Sequence, residues 1–244
     1  GPITTELFKF WVMTMSSSNN FGSAYILHTR KYRDTSLLID LFSRDEGRYT
    51  LVARGARGKK SRFNLQLFAP VMVSSFGGGE LKTASAIESN GLGYRLSGKN
   101  LFIGLYLNEL LFNVIGKFDP FPNLFDRYGE LLAMLQSDTF ATRNLRLFEI
   151  SLLADLGYGI SFDVESLTGD PIMADKSYFY VIEDGFHYAS EGKHNLRPIE
   201  GRHILAIAQG KIDRNGDKIL RDIVRKSVDH LLGGKPLNSR KLFA

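Results

Sequence analysis

Five short runs rich in β-branched and aromatic residues, Ala24 to Thr29, Leu37 to Phe42, Tyr49 to Ala53, Val71 to Phe76 and Leu81 to Ile87, crowd into about 65 residues with turn residues between them. Strands this short and this close in sequence bury their apolar faces most readily by closing on one another, so the spacing predicts a small five-stranded barrel. Asp45-Glu46-Gly47 supplies a hairpin turn between the second and third runs, and Gly77-Gly78-Gly79 another between the fourth and fifth. The triple glycine is followed by Glu80 and not by Lys-Ser or Lys-Thr, so it reads as a turn and not as a phosphate loop.

Past Gly91 and Gly93 the apolar period changes from two to about 3.6. Leu101, Leu105, Leu107, Leu111, Phe112 and Ile115 mark a buried helix. Asp119 and Pro120 are expected to start a second, with Leu124, Tyr128, Leu131, Leu132 and Leu135 on its apolar face. A third runs from Thr142 to Leu156 and ends at Gly157. From Phe162 to Ile199 helical periodicity is lost, and Tyr178 to Ile182 with Phe186 to Tyr188 reads as a lone hairpin around Gly185. Two helices, Gly201 to Ala208 and Lys218 to Leu232, close the chain. The fold class is therefore α+β. The divisions expected are an extension over 1–20, a barrel domain over 21–92, a helical domain over 93–161, a hairpin insertion over 162–199, and C-terminal helices over 200–244 that pack on the helical domain.

With 43% hydrophobic residues in 244, the chain can bury a sizeable core. Thirty-one Lys and Arg against 26 Asp and Glu give a formal charge of +5, which favours anionic partners. The absence of cysteine excludes disulfides, thiolate nucleophiles and Cys-ligated metal, and is compatible with a reducing cytoplasm. No apolar run reaches the roughly 18 to 20 residues of a membrane span. Leu7 to Met15 contains Lys9 and lacks a small-residue cleavage site, so it is a poor secretory signal. Gly1-Pro2 resembles a tag-removal scar, and the polar Ser16 to Asn20 suggests that residues 1–14 precede the fold.

The strongest local signal is the segment from Arg54 to Arg62. Arg54, Arg57, Lys59, Lys60 and Arg62 occur there without an acid and with Gly55 and Gly58 among them. Such a loop suits a phosphate backbone, where each neutralised phosphate releases counterions and gives sequence-independent affinity. Arg30, Lys31, Arg44 and Arg48, on the preceding strands and turns, extend the candidate DNA-binding set. Small barrels of this kind bind single strands with basic grooves and aromatic platforms, for which Tyr25, Tyr32, Tyr49 and Phe68 are at hand, though each is more often a core residue.

Catalytic constellations are hard to assemble. His28, His187, His194, His203 and His230 lack metal-ligand spacing. Ser23, Ser36 and Ser43 lack a Gly-x-Ser-x-Gly setting. Convergence of Asp34, Asp40, Asp163 and Asp170 on a divalent ion would make a nuclease, and that alternative stays open. In the third helix Arg146 and Glu149 stand among more apolar residues than one buried stripe needs. Either the helix is buried on most sides, or Arg146 borders an exposed apolar pocket able to take an acidic peptide ending in a hydrophobic residue and a carboxylate.

Taken together, the residues resemble a known family, the bacterial recombination mediator RecO. The likeness is carried by Tyr-Ile-Leu-His-Thr-Arg at 25–30, Asp-Thr-Ser-Leu-Leu at 34–38, Gly-Arg at 47–48 and Val-Ala-Arg-Gly-Ala-Arg at 52–57. It continues through Gly-Leu-Tyr-Leu-Asn-Glu-Leu-Leu at 104–111, Leu-Arg-Leu-Phe-Glu at 145–149, Leu-Gly-Tyr-Gly at 156–159, Leu-Gly-Gly-Lys-Pro-Leu at 232–237 and Ser-Arg-Lys-Leu-Phe at 239–243.

The resemblance implies an N-terminal oligonucleotide-binding (OB) barrel and a cytoplasmic, nucleoid-associated protein without enzymatic activity. It would bind single- and double-stranded DNA, anneal complementary strands, and help load RecA onto DNA coated with single-strand binding protein. RecR and the acidic C-terminal tail of single-strand binding protein are the implied partners, with RecA reached indirectly, and no cofactor is implied. The resemblance points to Arg146 and Leu156 for the tail, and Leu153 shares their face at helical spacing. Many members carry a four-cysteine zinc module after the Leu-Gly-Tyr motif. This chain has no cysteine, so a metal-free hairpin is expected between Phe162 and Ile199. The alternative is a general single-strand nucleic-acid-binding barrel protein without mediator function.

Overall fold

The structure, a computed structural model, describes residues 21–189 and 196–243. The expected extension over 1–20 and the candidate His194 lie outside the described residues. The described residues form two compact units, one comprising the chain through Ser97 with Ile103–Phe125, the other Gly98–Phe102 with the chain from Asp126 onward.

The first unit is built on a closed barrel of β1 (Gly22–Tyr32), β2 (Ser36–Ser43), β3 (Gly47–Ala53), β4 (Pro70–Phe76) and β5 (Leu81–Ser89), in the order β1-β2-β3-β5-β4 and back to β1. It has the OB type of closure. All neighbours are antiparallel except β3 and β5, whose short parallel ladder pairs Thr50 with Leu81, Leu51 with Lys82 and Val52 with Thr83. Each expected run forms a strand, and the strands extend one to three residues further at most ends because ladder pairing continues past the apolar residues. Ala24, Ile26, Ile39, Leu41, Leu51, Val71, Val73 and Ile87 fill the interior. A bulge between Ile26 and His28 shifts the register of β1.

Gly47 ends the β2–β3 turn at φ +76°, a conformation that favours glycine. A Cβ there would overlap the backbone of Asp119, which lies against it. This close approach ties the turn to the segment following α1 (Gly98–Val114).

The expected helix start at Asp119-Pro120 is corrected: α2 spans Pro122–Leu135. Phe121 precedes a proline and is biased away from helical dihedrals, so the helix begins at the second proline of Pro-Phe-Pro. The second unit continues with α3 (Thr142–Asp155) and a small sheet of β6 (Ser177–Val181), β7 (Gly185–Tyr188) and β8 (Ile199–Glu200) in the order β7-β6-β8. The expected lone hairpin is thus a three-stranded sheet. The missing strand has two residues, pairing Ile199 with Tyr178 and Glu200 with Ser177, too few to show any period.

Next come α4 (Gly201–Ala208) and α5 (Arg214–Leu231), with a 3₁₀ turn at Asn238–Phe243. Helix α5 starts four residues before the expected Lys218, because the Asp213 side chain accepts from the Gly216 N–H at 2.7 Å and caps it. Helices α3 and α5 pack together. Ile172, Tyr178, Tyr180, Phe186, Ile204 and Ile223 form one core beneath the sheet.

Candidate nucleic-acid interface

The segment Arg54 to Arg62 is the loop leaving β3, and Arg54, Arg57, Lys59, Lys60 and Arg62 are all exposed. It does not hang free. The Arg57 N–H donates to the Thr35 carbonyl at 3.0 Å, and the Arg57 guanidinium donates to the carbonyls of Arg33 and Asp34. The loop is thereby laced to the β1–β2 turn. Because Lys31 pairs with Leu37 and Leu37 with Ala53, the end of β1 arrives at the same rim. Arg30, Lys31, Arg54, Lys59, Lys60 and Arg62 therefore share one end of the barrel. Lys31, Arg54, Lys59, Lys60 and Arg62 make no ion pair with a described residue.

Arg30 is anchored. It donates to Asp40 at 3.2 Å, while the Thr50 hydroxyl donates to the same oxygen at 2.6 Å and His28 lies 3.5 Å from the other. Asp40 itself is fully buried, so this carboxylate fixes the wall from which Arg30 projects.

Arg44 and Arg48 lie at the opposite end, Arg44 in the β2–β3 turn and Arg48 at the start of β3, where Ser43 pairs with Gly47. Arg44 pairs with Asp45 at 3.5 Å. Arg48 is half-buried, donates through Nε to the Ile115 carbonyl at 2.8 Å and stacks over the Phe112 ring at 4.9 Å. Burial lowers the affinity of its guanidinium for the proton, partly offset by Asp40. The structure does not bring these two to the basic rim.

Of the aromatics considered as platforms, Tyr25, Tyr49 and Phe68 are buried, and Tyr49 has its hydroxyl pKa raised by that burial and by Glu46. Tyr32 is half-buried beneath the Arg33 guanidinium. Phe63, not among the expected platforms, is half-buried against the barrel core with the Arg62 guanidinium 5.4 Å over its ring. An aromatic directly following a basic run was the available signal.

In the second unit, α3 ends in a six-residue cap. Gly157 is at φ +87°, its N–H donates to Ala154, and the Tyr158 N–H donates to Leu153 at 2.8 Å. Leu153 is buried and Leu156, at the cap, is half-buried. Arg146 is only 9% exposed; its guanidinium donates to Glu149, itself buried, and through Nε to Asp217 of α5 at 3.2 Å. A cleft of about 470 Å³ opens beside Asp217, lined also by Phe140, Thr142, Arg143, Asp213 and Arg214.

Between Phe162 and Ile199, the described residues Glu165 and Tyr188 are each tied to a neighbour. Burial opposes ionisation of Glu165, but hydrogen bonds from the Thr168 side chain and from the Thr168 and Leu167 backbone outweigh it and hold the carboxyl below its ordinary value. Tyr188 donates to Asp170 at 2.9 Å, and that bond together with burial pushes its pKa up to about 12. Among the described residues no three His, Asp or Glu side chains gather into a metal-holding group, so the carboxylates considered for a nuclease form none. Nor is any described helix long and apolar enough to cross a membrane.

Two family models match nearly all of this sequence: recombination protein O N terminal over residues 20–91 and recombination protein O C terminal over residues 95–241. The chain is 37% identical to the DNA repair protein RecO of Azoarcus sp. (strain BH72), over 91% of its own length and 93% of the relative's. The corresponding figures are 38%, 90% and 91% for the DNA repair protein RecO of Methylococcus capsulatus, and 37%, 93% and 94% for that of Vibrio cholerae serotype O1 (strain M66-2).

Proposed function

The chain belongs to the RecO family of DNA repair proteins, and from that premise we propose a mediator that acts by binding and not by chemistry. It binds single- and double-stranded DNA through phosphate contacts, anneals complementary strands and, with RecR, helps RecA onto DNA coated with single-strand binding protein. It works in the cytoplasm, at the nucleoid. The observation that carries this reading is the laced basic rim. Arg54, Lys59, Lys60 and Arg62 project from a loop whose backbone is held by Arg57, and Lys31 joins them from the end of β1, so phosphates meet cations that have no carboxylate to leave.

The tail of single-strand binding protein is assigned to the end of α3. Leu156 offers an apolar half-exposed surface, Leu153 backs it, and Arg146 supplies the charge for a terminal carboxylate. Arg146 can then exchange its contact with Asp217 for the peptide while Glu149 keeps its second nitrogen.

Titrating the protein into fluorescent single-stranded DNA, naked and precoated with single-strand binding protein, tests both halves. Saturable salt-sensitive binding to naked DNA and recruitment to coated DNA are expected. Binding to naked DNA with exclusion from coated DNA would reduce the protein to a general nucleic-acid binder, and no binding to either would remove the function.

A further inference from the structure

Helix α5 carries Arg214, Lys218, Arg221 and Arg225 at intervals of four, three and four residues. This spacing places all four on one narrow stripe about 16 Å long, opposite the buried stripe of Leu220, Ile223, Val224 and Ser227. All four are exposed, as is the flanking Lys226, and none forms an ion pair with a described residue.

Most acids of the same helix and its cap are otherwise engaged. Asp213 caps the N-terminus through Gly216, Asp217 accepts from Arg146, and Asp229 pairs with Arg240, which leaves Asp222 as the one acid of α5 without an ion pair among the described residues. Like charges three and four apart repel on a helix surface, and the two acids spaced to offset them, Asp217 and Asp222, are fewer than the cations of the stripe. An anionic ligand would relieve the repulsion.

Beside the stripe, Lys218, Lys226 and Arg197, with the acids Glu200 and Asp222, line a cavity of about 300 Å³ together with Tyr180, Ile199, Ile219 and Ile223. Cations along a ridge with an apolar recess at its flank match a single strand, whose phosphates run in line while an unpaired base can turn into the recess. A lipid surface would be met by a flat cationic face and would leave the recess empty.

We propose that the α5 ridge is a second single-strand DNA surface, separate from the barrel rim, built from Arg214, Lys218, Arg221 and Arg225. This rests on the reading that the chain is a DNA-binding mediator. A chain with two phosphate-binding surfaces can hold one strand on each, which is what annealing needs.

The test uses the full chain with the four ridge residues changed to Gln, the same chain with Arg214→Lys, Lys218→Arg, Arg221→Lys and Arg225→Lys, and a Lys59→Gln, Lys60→Gln chain. Gln keeps helix propensity at exposed positions, and circular dichroism confirms folding of each. Affinity for an oligothymidine is measured across salt concentrations, and annealing of two labelled complementary strands is timed.

The ridge Gln variant is expected to flatten the log–log salt slope by about 0.7 for each phosphate no longer neutralised, close to three for all four, and to slow annealing at least tenfold. The charge-conserving variant should keep both. An unchanged slope in the folded Gln variant overturns the inference, as does ridge-dependent binding to phosphatidylglycerol vesicles with an unchanged DNA slope. If wild type binds and only Lys59 and Lys60 move the slope, the ridge alone is excluded. If wild type does not bind DNA, the mediator reading falls with it.

Discussion

Arg146 on α3 and Asp217 on α5 are joined by a 3.2 Å contact from Nε, while the rest of the Arg146 guanidinium holds the buried Glu149. The same arginine is therefore both a brace between two helices and the proposed anchor for a peptide carboxylate. Replacing it with alanine should destabilise the fold by about 3 to 5 kcal/mol, because Glu149 is then left without this cation in a buried setting. It should also weaken a single-strand binding protein tail peptide about ten- to a hundredfold. Adding Glu149→Gln is expected to recover much of the melting temperature without recovering the peptide. Calorimetry and thermal melting on both chains read the two effects separately, and full-strength peptide binding by the folded double variant would end the tail assignment.

In the basic rim the labour is divided. Lys59→Ala with Lys60→Ala should lower the DNA salt slope by about 1.4 to 1.8, at about 0.7 to 0.9 per phosphate contact, and leave the melting curve alone. Arg57→Ala is expected to act differently, since its guanidinium serves the carbonyls of Arg33 and Asp34. Hydrogen exchange of the amides between Arg54 and Arg62 should rise in that variant before any change in slope, and unchanged exchange would refute its lacing role.

Gly47→Ala should cost at least about 1 to 3 kcal/mol from the positive φ alone, with the overlap against Asp119 adding to it. Gly77→Ala, also at positive φ but with open space around it, should cost less. Urea unfolding of the two chains makes the comparison. Equal losses would mean that the Asp119 backbone yields freely.

Glu165 has its folded pKa below the ordinary value, so its contribution to stability is present above the unfolded value of about 4.3 and lost as pH falls through the folded one. Glu165→Gln should therefore lower the melting temperature by about 2 to 4 °C at pH 7. The gap to wild type should narrow below about pH 4, where both side chains approach neutrality. A gap that persists or widens in acid would show that the carboxylate charge is not what the turn needs.

The barrel was legible because β-branched and aromatic runs at period two survive any tertiary context that buries one face, and all five runs became strands. Helix α4 carries its own pattern and has the bounds expected, whereas the starts of α2 and α5 were set by Phe121 before a proline and by the Asp213 cap, local effects that an apolar period does not record. Charge was harder to read. Arg57 and Arg48 look like any other surface arginine in the sequence, and only the fold shows one holding backbone carbonyls and the other lying over Phe112. The α5 cations are scattered as text and line up only when the helix is wound, while a contiguous run such as Arg54 to Arg62 draws attention by itself.

The parallel ladder between β3 and β5 sets an order on synthesis. When β3 has emerged, the chain can form only a meander of β1, β2 and β3, with unpaired backbone along both outer strands. One edge waits for β4 and the other for β5, on the far side of the 16-residue stretch from Arg54 to Ala69. A ribosome paused within that stretch would hold out two sticky edges at once, the condition under which nascent chains pair with each other. Codon usage and chaperone contact across the basic loop should therefore matter more to yield than equal changes placed after Ser89.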